Sequence, residues 1–499
     1  MTLILDGINV IYHFFFIIHV VICMWYTINP IRNKVSLDNR KKMKIDCNNL
    51  LYLLDKKYID MRLKSLSLKN MRLFGEVEQT INFREDKNVT IIVGNNSTGK
   101  SSILDSISIQ ISSLLSHFPG QSVKQYQETD VHIDEFGNQS QYLNVKTELT
   151  TTYNGPVLIN RSRKGSGKAS ETDLKQAKHY ADLLMDMVND PNQECILPLV
   201  AYYGTGRGQI QAPERKRGFQ KVFSRWDAYK NTLESSTNFK RFFEWFDLME
   251  DEERREQVNR KDFEYRSPVL ETVRKALSIF IGDRFTNPHI ELKPLRFVME
   301  ETAENGQKRQ LRIEQMSDGY KIITAMVADI ASRMAEANPD MEDALRTPGI
   351  VLVDEIDLHL HPKWQRVIID NLTKTFPNVQ FVVTTHSPII LLGAMGEAQM
   401  IVLDNQEIKD VTSSSFSTYD VSQILLSDLF GLQSSRAPQW DNLIKEQEEL
   451  LGKHNLSDCE QARLKEIEKQ LSALSYGDTL KSVQSRDLIY KIAEQLGIN

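Results

Sequence analysis

Cysteine is scarce in this sequence. The four present (Cys23, Cys47, Cys195, Cys459) are scattered over 499 residues and none forms a CxxC pair. Neither a disulfide framework nor a zinc site follows from such spacing, which fits a reducing cytosol. An excess of one charge sign is also missing: 61 Lys and Arg against 67 Asp and Glu leave a formal charge of −6. That argues against a dedicated nucleic-acid coat protein and leaves room for a local basic patch. There is no internal repeat, no long low-complexity tract and no sustained heptad pattern, so no long coiled-coil arm is expected. The hydrophobic share of 41% and the charged share of 26% are ordinary for a soluble globular chain. The length allows two or three domains around a sizeable core.

The first sixty residues differ in kind. From Gly7 to Pro30 charge is absent unless His13 or His19 is protonated, and the run from Ile8 to Ile28 is long enough to span a bilayer. Arg32, Lys34, Arg40, Lys41, Lys42 and Lys44 follow it. Their positive charge would leave the rest of the chain in the cytoplasm. The run is too long for a cleaved signal peptide, and no A-x-A-like site follows. Met61 opens MRLKSLSLKNMRLF, a natural first strand. Residues 1–60 are therefore read first as upstream sequence translated from a wrongly chosen start. The second reading is a membrane anchor at residues 8–28, and the third a buried helix. The expected location is cytoplasmic, or anchored to the inner membrane with the remainder in the cytoplasm.

Further on, Leu63, Leu66 and Leu68 read as a strand, as do Ile81 and Phe83. The continuous apolar run Val89–Val93 reads as a strand buried on both faces. A glycine loop and a helix, Ser101–Leu115, follow. From about 128 to 161 the pattern is β-like, with turns at FGN and NGP. Arg161–Ser170 reads as a flexible basic loop, Asp173–Val188 as a helix and Ile196–Tyr203 as another buried strand. Residues 215–281 are charged and helical, with aromatics at Phe239, Phe242, Phe243, Trp245 and Phe246. The expected division is an N-terminal extension (1–60), a first lobe with a β subdomain (61–205), a helical insertion (206–290), a second lobe (291–433) and a helical C-terminal region (434–499).

Four motifs carry chemistry. The first is GNNSTGKS: Gly94, Asn95, Asn96, Ser97, Thr98, Gly99, Lys100 and Ser101. It fits G-x-x-x-x-G-K-[ST] and sits between a buried strand and a helix, the setting of a phosphate-binding loop. Glycines let backbone N–H groups turn inward around phosphate oxygens, and the helix N-terminus adds a favourable dipole. Lys100 would neutralise the β- and γ-phosphates of ATP. Ser101 would offer its hydroxyl to Mg²⁺, with Ser102 assisting. The second motif is GIVLVDEID, where a buried strand runs into two carboxylates. Asp354 would hold the magnesium shell and Glu355 would orient or deprotonate the attacking water. The third, FVVTTHSP, is a strand ending at His386, which can reach the γ-phosphate or that water. The fourth, QMSDGYK, places Ser317 and Gly319 at the start of an apolar helix, a second anion site.

In this order the motifs resemble the ABC-type P-loop ATPase head of the RecF/SMC branch, over about residues 61–405. The resemblance implies an α/β fold: a mixed sheet core and an antiparallel β subdomain, with a helical insertion and a helical C-terminal tail. It also implies a homodimer or higher oligomer in which Ser317 and Gly319 contact the γ-phosphate on the second copy's Lys100. Asp357 would lie in the D-loop at the interface. MSDGY stands where many transporters have LSGGQ, so Asp318 and Tyr320 depart from that pattern. AYYGTGR (Ala201–Arg207), SDGYK and DEIDLHLHPKWQ (Asp354–Gln365) narrow the resemblance to the PtuA-like ATPases of Septu and retron-associated anti-phage systems. That implies a partner HNH-type nuclease (PtuB-like) and, in the retron form, a reverse transcriptase and its DNA. The alternative is a RecF-like DNA repair ATPase. His359 and His361 read as interface residues in preference to metal ligands. Tyr202, Tyr203 and Arg207 read as strand-end packing or as a nucleotide or interface contact. The basic clusters Arg161, Arg163, Lys164, Lys168 and Arg215, Lys216, Arg217, Lys221 are solvated surface or direct nucleic-acid contacts. Trp440, Leu443, Ile444, Leu450 and Leu451 make the C-terminal helices a candidate partner-docking region.

Overall fold

The computed structural model describes residues 61–472, apart from 152–154, 167–171, 209–222, 235–238, 283, 292–295, 304–305, 405–406, 412–418, 428, 433–437 and 454–456. The apolar run 8–28 and the basic cluster 215–221 lie outside the described residues. Among the described residues no helix is long and apolar enough to cross a membrane.

Continuous apolar runs build the central sheet. β3 (Val89–Gly94), β6 (Leu199–Tyr203), β10 (Gly349–Val353) and β11 (Val379–Thr385) are buried at every position. Strands covered on both faces have no need of polar alternation. With β12 (Ala398–Asp404) and β13 (Glu407–Val411) they form a six-stranded sheet in the order β13-β12-β3-β11-β10-β6. All neighbours are parallel except β12 and β13, so the sheet is mixed.

Successive side chains of a strand point to opposite faces, and they sort here into two cores. Ile91, Val93, Val351, Val353 and Val383 join one core, while Ile92, Ile350, Leu352 and Val382 join the other. The second core is closed by α1 (Lys100–Leu115), by α2 (Lys175–Asn189) and by a four-stranded antiparallel sheet. That sheet is ordered β2-β1-β4-β5, from β1 (Met61–Lys69), β2 (Gln79–Asn82), β4 (Tyr142–Thr151) and β5 (Gly155–Lys164). α1 is buried along almost its whole length despite its serines. Ser106 and Ser112 donate to backbone carbonyls one turn back, at 2.7 Å each, so burial leaves these hydroxyls satisfied.

On the other face lie α3 (Lys240–Arg260), α4 (Pro268–Ile281), α5 (Asp318–Ala337) and α6 (Ile368–Thr375). A three-stranded antiparallel sheet, β7 (Phe285–Glu291), β8 (Arg296–Thr302) and β9 (Lys308–Arg312), joins this side. Phe242, Phe243 and Phe246 of α3 surround Phe297 of β8 with ring centroids 5.5, 5.9 and 5.4 Å away. The sequence reading did not anticipate this small sheet. β9 (KRQLR) is largely exposed, and β7 carries Pro288 within a register shift, so neither shows a clean alternation. At the C-terminal end α7 (Pro438–Leu451) pairs with α8 (Asp458–Ser472), bridged by Arg463 and Glu446 at 2.7 Å. Leu450 is buried there and Leu451 is exposed.

One expectation is corrected. Arg161–Lys164 is not the start of a flexible loop but the end of β5. Arg161 is buried, and donates to the carbonyls of Ile109 (2.9 Å) and Lys124 (2.8 Å) and to Gln125 Oε1 (2.8 Å). Its guanidinium also lies over the ring of Tyr126. Arg163 donates to the Tyr126 carbonyl at 2.7 Å. These arginines tie β5 to the segment after α1, so Arg161 and Arg163 are not solvated surface, whereas Lys164 is exposed and Lys168 lies outside the described residues. Arg161→Ala should lower stability by about 2–3 kcal/mol in urea unfolding, by stranding buried acceptors. Lys164→Ala, at an exposed position, should be close to neutral.

Candidate nucleotide site

The parallel register sets the ends of β3, β11, β10 and β6 along one edge of the sheet. Val93 pairs with Thr385, Val383 with Val353, and Val353 with Tyr203. Loops leaving this carboxyl edge are where open α/β sheets hold ligands.

The loop Gly94–Ser101 leaves β3 here and enters α1. A Cβ at Gly94 would stand 2.7 Å from Thr98 Oγ1 and 2.8 Å from the Leu403 carbonyl, so no side chain fits. Gly99 has φ +104° and caps α1, a conformation that glycine adopts freely. Lys100 is buried, and its ammonium donates to the carbonyls of Gly94 and Asn95, 2.8 Å each. Burial pulls its pKa down, against the raising effect of Asp354, Glu355 and Asp357. Thr98 donates to the Asn95 carbonyl at 2.9 Å. Ser102 turns elsewhere: it is buried, 3.4 Å from the Arg72 guanidinium.

Beyond β10 the acid pair is tightly tied. Asp354 accepts from Ser101 Oγ at 2.8 Å and from Thr384 Oγ1 at 2.6 Å. Thr384 Oγ1 in turn accepts from the Glu355 N–H at 2.7 Å. Glu355 has φ +48°, in the left-handed region that side-chain-bearing residues seldom occupy. Arg207, fully buried, donates to the carbonyls of Gly204 (2.9 Å), Asp354 (2.6 Å) and Glu355 (2.5 Å). Asp357 accepts from Thr385 Oγ1 at 2.6 Å. Ser387 donates to Gln365, which donates to the Leu360 carbonyl. The turn after β10 is thus stitched to the end of β11. His386 is half-buried, and burial followed by the Lys100 charge lowers its pKa below the usual 6.5. The imidazole is therefore neutral at pH 7.

Ser317 and Gly319 sit at the exposed start of α5. Ser317 is the N-cap residue but its hydroxyl makes no capping bond. A Cβ on Gly319 would stand 2.7 Å from the His359 carbonyl, so this helix start rests directly on the turn that follows the acid pair. Asp318 pairs with Lys321 at 2.7 Å. Tyr320 meets Trp364 edge-on at 5.1 Å and Phe285 at 5.4 Å. The two residues that depart from LSGGQ are thus engaged within the chain. Among the described residues, no hydrogen bond or ion pair joins Ser317 or Gly319 to the Gly94–Ser101 loop. His359 is exposed with φ +62°, and the His361 ring accepts from the Lys363 N–H at 3.2 Å. Among the described residues no group of three or more His, Cys, Asp or Glu side chains stands together to hold a metal.

Ser101, Lys100, Asp354, Glu355 and His386 thus converge on one edge, whereas Ser317 and Gly319 stand apart from it. The motif readings did not include Thr384, although FVVTTHSP contains it, and gave Arg207 no definite role. The hydroxyl of Ser101 and the carboxylate of Asp354 are adjacent oxygen donors, the type that suits Mg²⁺. A loop with no room for a Cβ at Gly94 and an ammonium over its carbonyls fits a triphosphate.

The fold and this edge define an ABC-type P-loop ATPase head. Residues 65–277 match the family described as AAA domain, and residues 205–392 the family described as AAA domain, putative AbiEii toxin, Type IV TA system. The chain is 27% identical over 463 residues to Retron Vc95 probable ATPase of Vibrio cholerae serotype O1 biovar El Tor, covering 82% of this chain and 86% of that one. It is 28% identical over 388 residues to Retron Ec83 probable ATPase of Escherichia coli, covering 66% and 69%. To Septu protein PtuA of Bacillus mycoides (strain KBAB4) it is 32% identical over 176 residues, covering 34% and 24%. The chain is thus similar to ATPases of retron and Septu anti-phage systems.

The His386 shift has a pH signature. As pH falls through 6.5 the unfolded chain takes up the proton before the folded one, so stability is lost from there down to the folded pKa. His386→Gln should therefore lose less melting temperature than the parent between about pH 7.5 and about pH 5.5. An equal loss in both would contradict a depressed pKa.

Proposed function

We propose that this chain hydrolyses ATP in a Mg²⁺-dependent reaction, as the ATPase subunit of an anti-phage complex that controls a partner HNH-type nuclease. The observation that carries the catalytic part is the Ser101–Asp354 hydrogen bond of 2.8 Å beside the pinned Glu355. Phosphoryl transfer to water depends on positioning and charge stabilisation more than on covalent chemistry. Backbone N–H groups of Gly94–Ser101 receive the phosphate oxygens. Lys100 leaves the Gly94 and Asn95 carbonyls and neutralises the β- and γ-phosphates. Ser101 and Asp354 would hold Mg²⁺, which when bound draws charge from the β- and γ-oxygens. Glu355 orients the attacking water and takes its proton, and neutral His386 donates a hydrogen bond to the γ-phosphate.

The trans half of the site is inferred from the signature residues. Ser317 and Gly319 offer an exposed helix N-terminus that is not engaged with their own Lys100, which supports contribution to a second copy's γ-phosphate. ATP would then govern assembly, and assembly the nuclease. The relatives' names support a retron or Septu setting; the further partners in this reading are an HNH-type nuclease and, for a retron, a reverse transcriptase with its DNA. The helical pair α7–α8 is the proposed docking element.

Glu355→Gln should keep ATP binding and lose turnover by roughly 10²-fold or more, the usual worth of a positioned base. Undiminished hydrolysis would reject the role of Glu355. Lys100→Ala should lose nucleotide binding in calorimetry, and near-normal affinity would reject the phosphate cradle. The Glu355→Gln protein should shift to a larger species with ATP in sedimentation, and should co-purify with the proposed HNH-type nuclease. A monomer at every ATP concentration would reject the composite site.

A further inference from the structure

The motif AYYGTGR ends in an arginine that the mechanism above does not use. Arg207 lies just past β6, in a short turn spanning Thr205–Gly208, and is only 1% exposed. A buried guanidinium is ordinarily matched by a carboxylate. This one donates to three backbone carbonyls, and two of them belong to consecutive residues, Asp354 and Glu355. Consecutive carbonyls in an extended strand point to opposite sides. For both to face one cation the chain must turn, and the φ of +48° at Glu355 is that turn.

The backbone N–H and carbonyl of both Asp354 and Glu355 are committed. The Asp354 N–H donates to the Tyr203 carbonyl (2.9 Å), and the Glu355 N–H to Thr384 Oγ1 (2.7 Å). The Ile356 N–H donates to the Thr384 carbonyl (2.9 Å), and the Glu355 carbonyl accepts from Arg207. The direction of the Glu355 side chain is therefore set by partners on β6, β11 and the turn after β6. The Glu355 carboxylate is close enough to Lys100 and His386 to bias the protonation of both.

We propose that Arg207 is the positioning residue for Glu355, holding the left-handed turn that aims its carboxylate at the attacking water. The proposal rests on the reading of Glu355 as the water-activating carboxylate. In this role Arg207 acts through the backbone carbonyls it binds. Lysine at this position keeps the charge but presents one nitrogen, so it cannot serve the three carbonyls in the same fork geometry. A displacement of the carboxylate by about 1 Å is the scale that costs about 10²-fold in rate.

The test uses the full-length chain with Arg207→Lys, Arg207→Gln, Glu355→Gln and the double variant Arg207→Lys/Glu355→Gln. Arg207→Lys should lower kcat about 10²-fold while KM, and the Kd for a non-hydrolysable ATP analogue, stay within about twofold. Single-turnover hydrolysis by the double variant should equal that of Glu355→Gln alone, because the arginine works through the carboxylate. Parental kcat in Arg207→Lys, a loss of analogue affinity as large as the loss of kcat, or a further loss in the double variant would each overturn the proposal. Parental turnover in Glu355→Gln would instead remove the reading on which it rests. If neither Arg207→Lys nor Arg207→Gln unfolds cooperatively, the arginine is a stay of the sheet and the positioning role is rejected.

Discussion

The site depends on one carboxylate shared between three strand ends. Asp354 closes β10, accepts from Ser101 at the start of α1 and accepts from Thr384 near the end of β11. Both contacts are short, and the one to Thr384 is buried, where a hydrogen bond to a charged acceptor is stronger than in water. The contacts depend on how β3, β11 and β10 are registered, with Val353 beside Val383 and Thr385 beside Val93, and parallel pairing sets that. The two cores on either face of the sheet in turn hold the register. A slip of one residue would exchange the side chains committed to each core. Packing on both faces therefore fixes the position of a single oxygen pair at the edge.

Much of this was legible in the chain. Val89–Val93, Ile350–Val353 and Phe381–Val383 are uninterrupted apolar runs, and uninterrupted runs mean strands covered on both sides. Each ends in the residues that carry chemistry, so strand and site could be read together. The small sheet β7–β9 could not. Its cohesion comes from Phe297 seated among three phenylalanines of α3, a contact between distant segments that no local pattern announces.

The arginines were the least legible. Arg161 and Arg163 sit in a run of basic residues, and a basic run reads as surface. Only the fold shows that Arg161 faces the carbonyls at 109 and 124. Arg207 is concealed in the same manner, because a cation that binds backbone carbonyls leaves no partner residue to recognise in the sequence. Asp318 and Tyr320 show the converse. They look like defects in a motif, yet one is paired with Lys321 and the other is packed between Trp364 and Phe285.

The close approach of Gly319 to the His359 carbonyl has a mechanical consequence. A side chain at position 319 would have no room there, so the first turn of α5 and the turn after the acid pair lie close together. A shift of the turn after the acid pair would therefore bear directly on the first turn of α5. α5 is a twenty-residue rod buried along nearly all its length. Motion that begins beside Glu355 would therefore reach the core that α5 packs into, on the face of the sheet opposite α1.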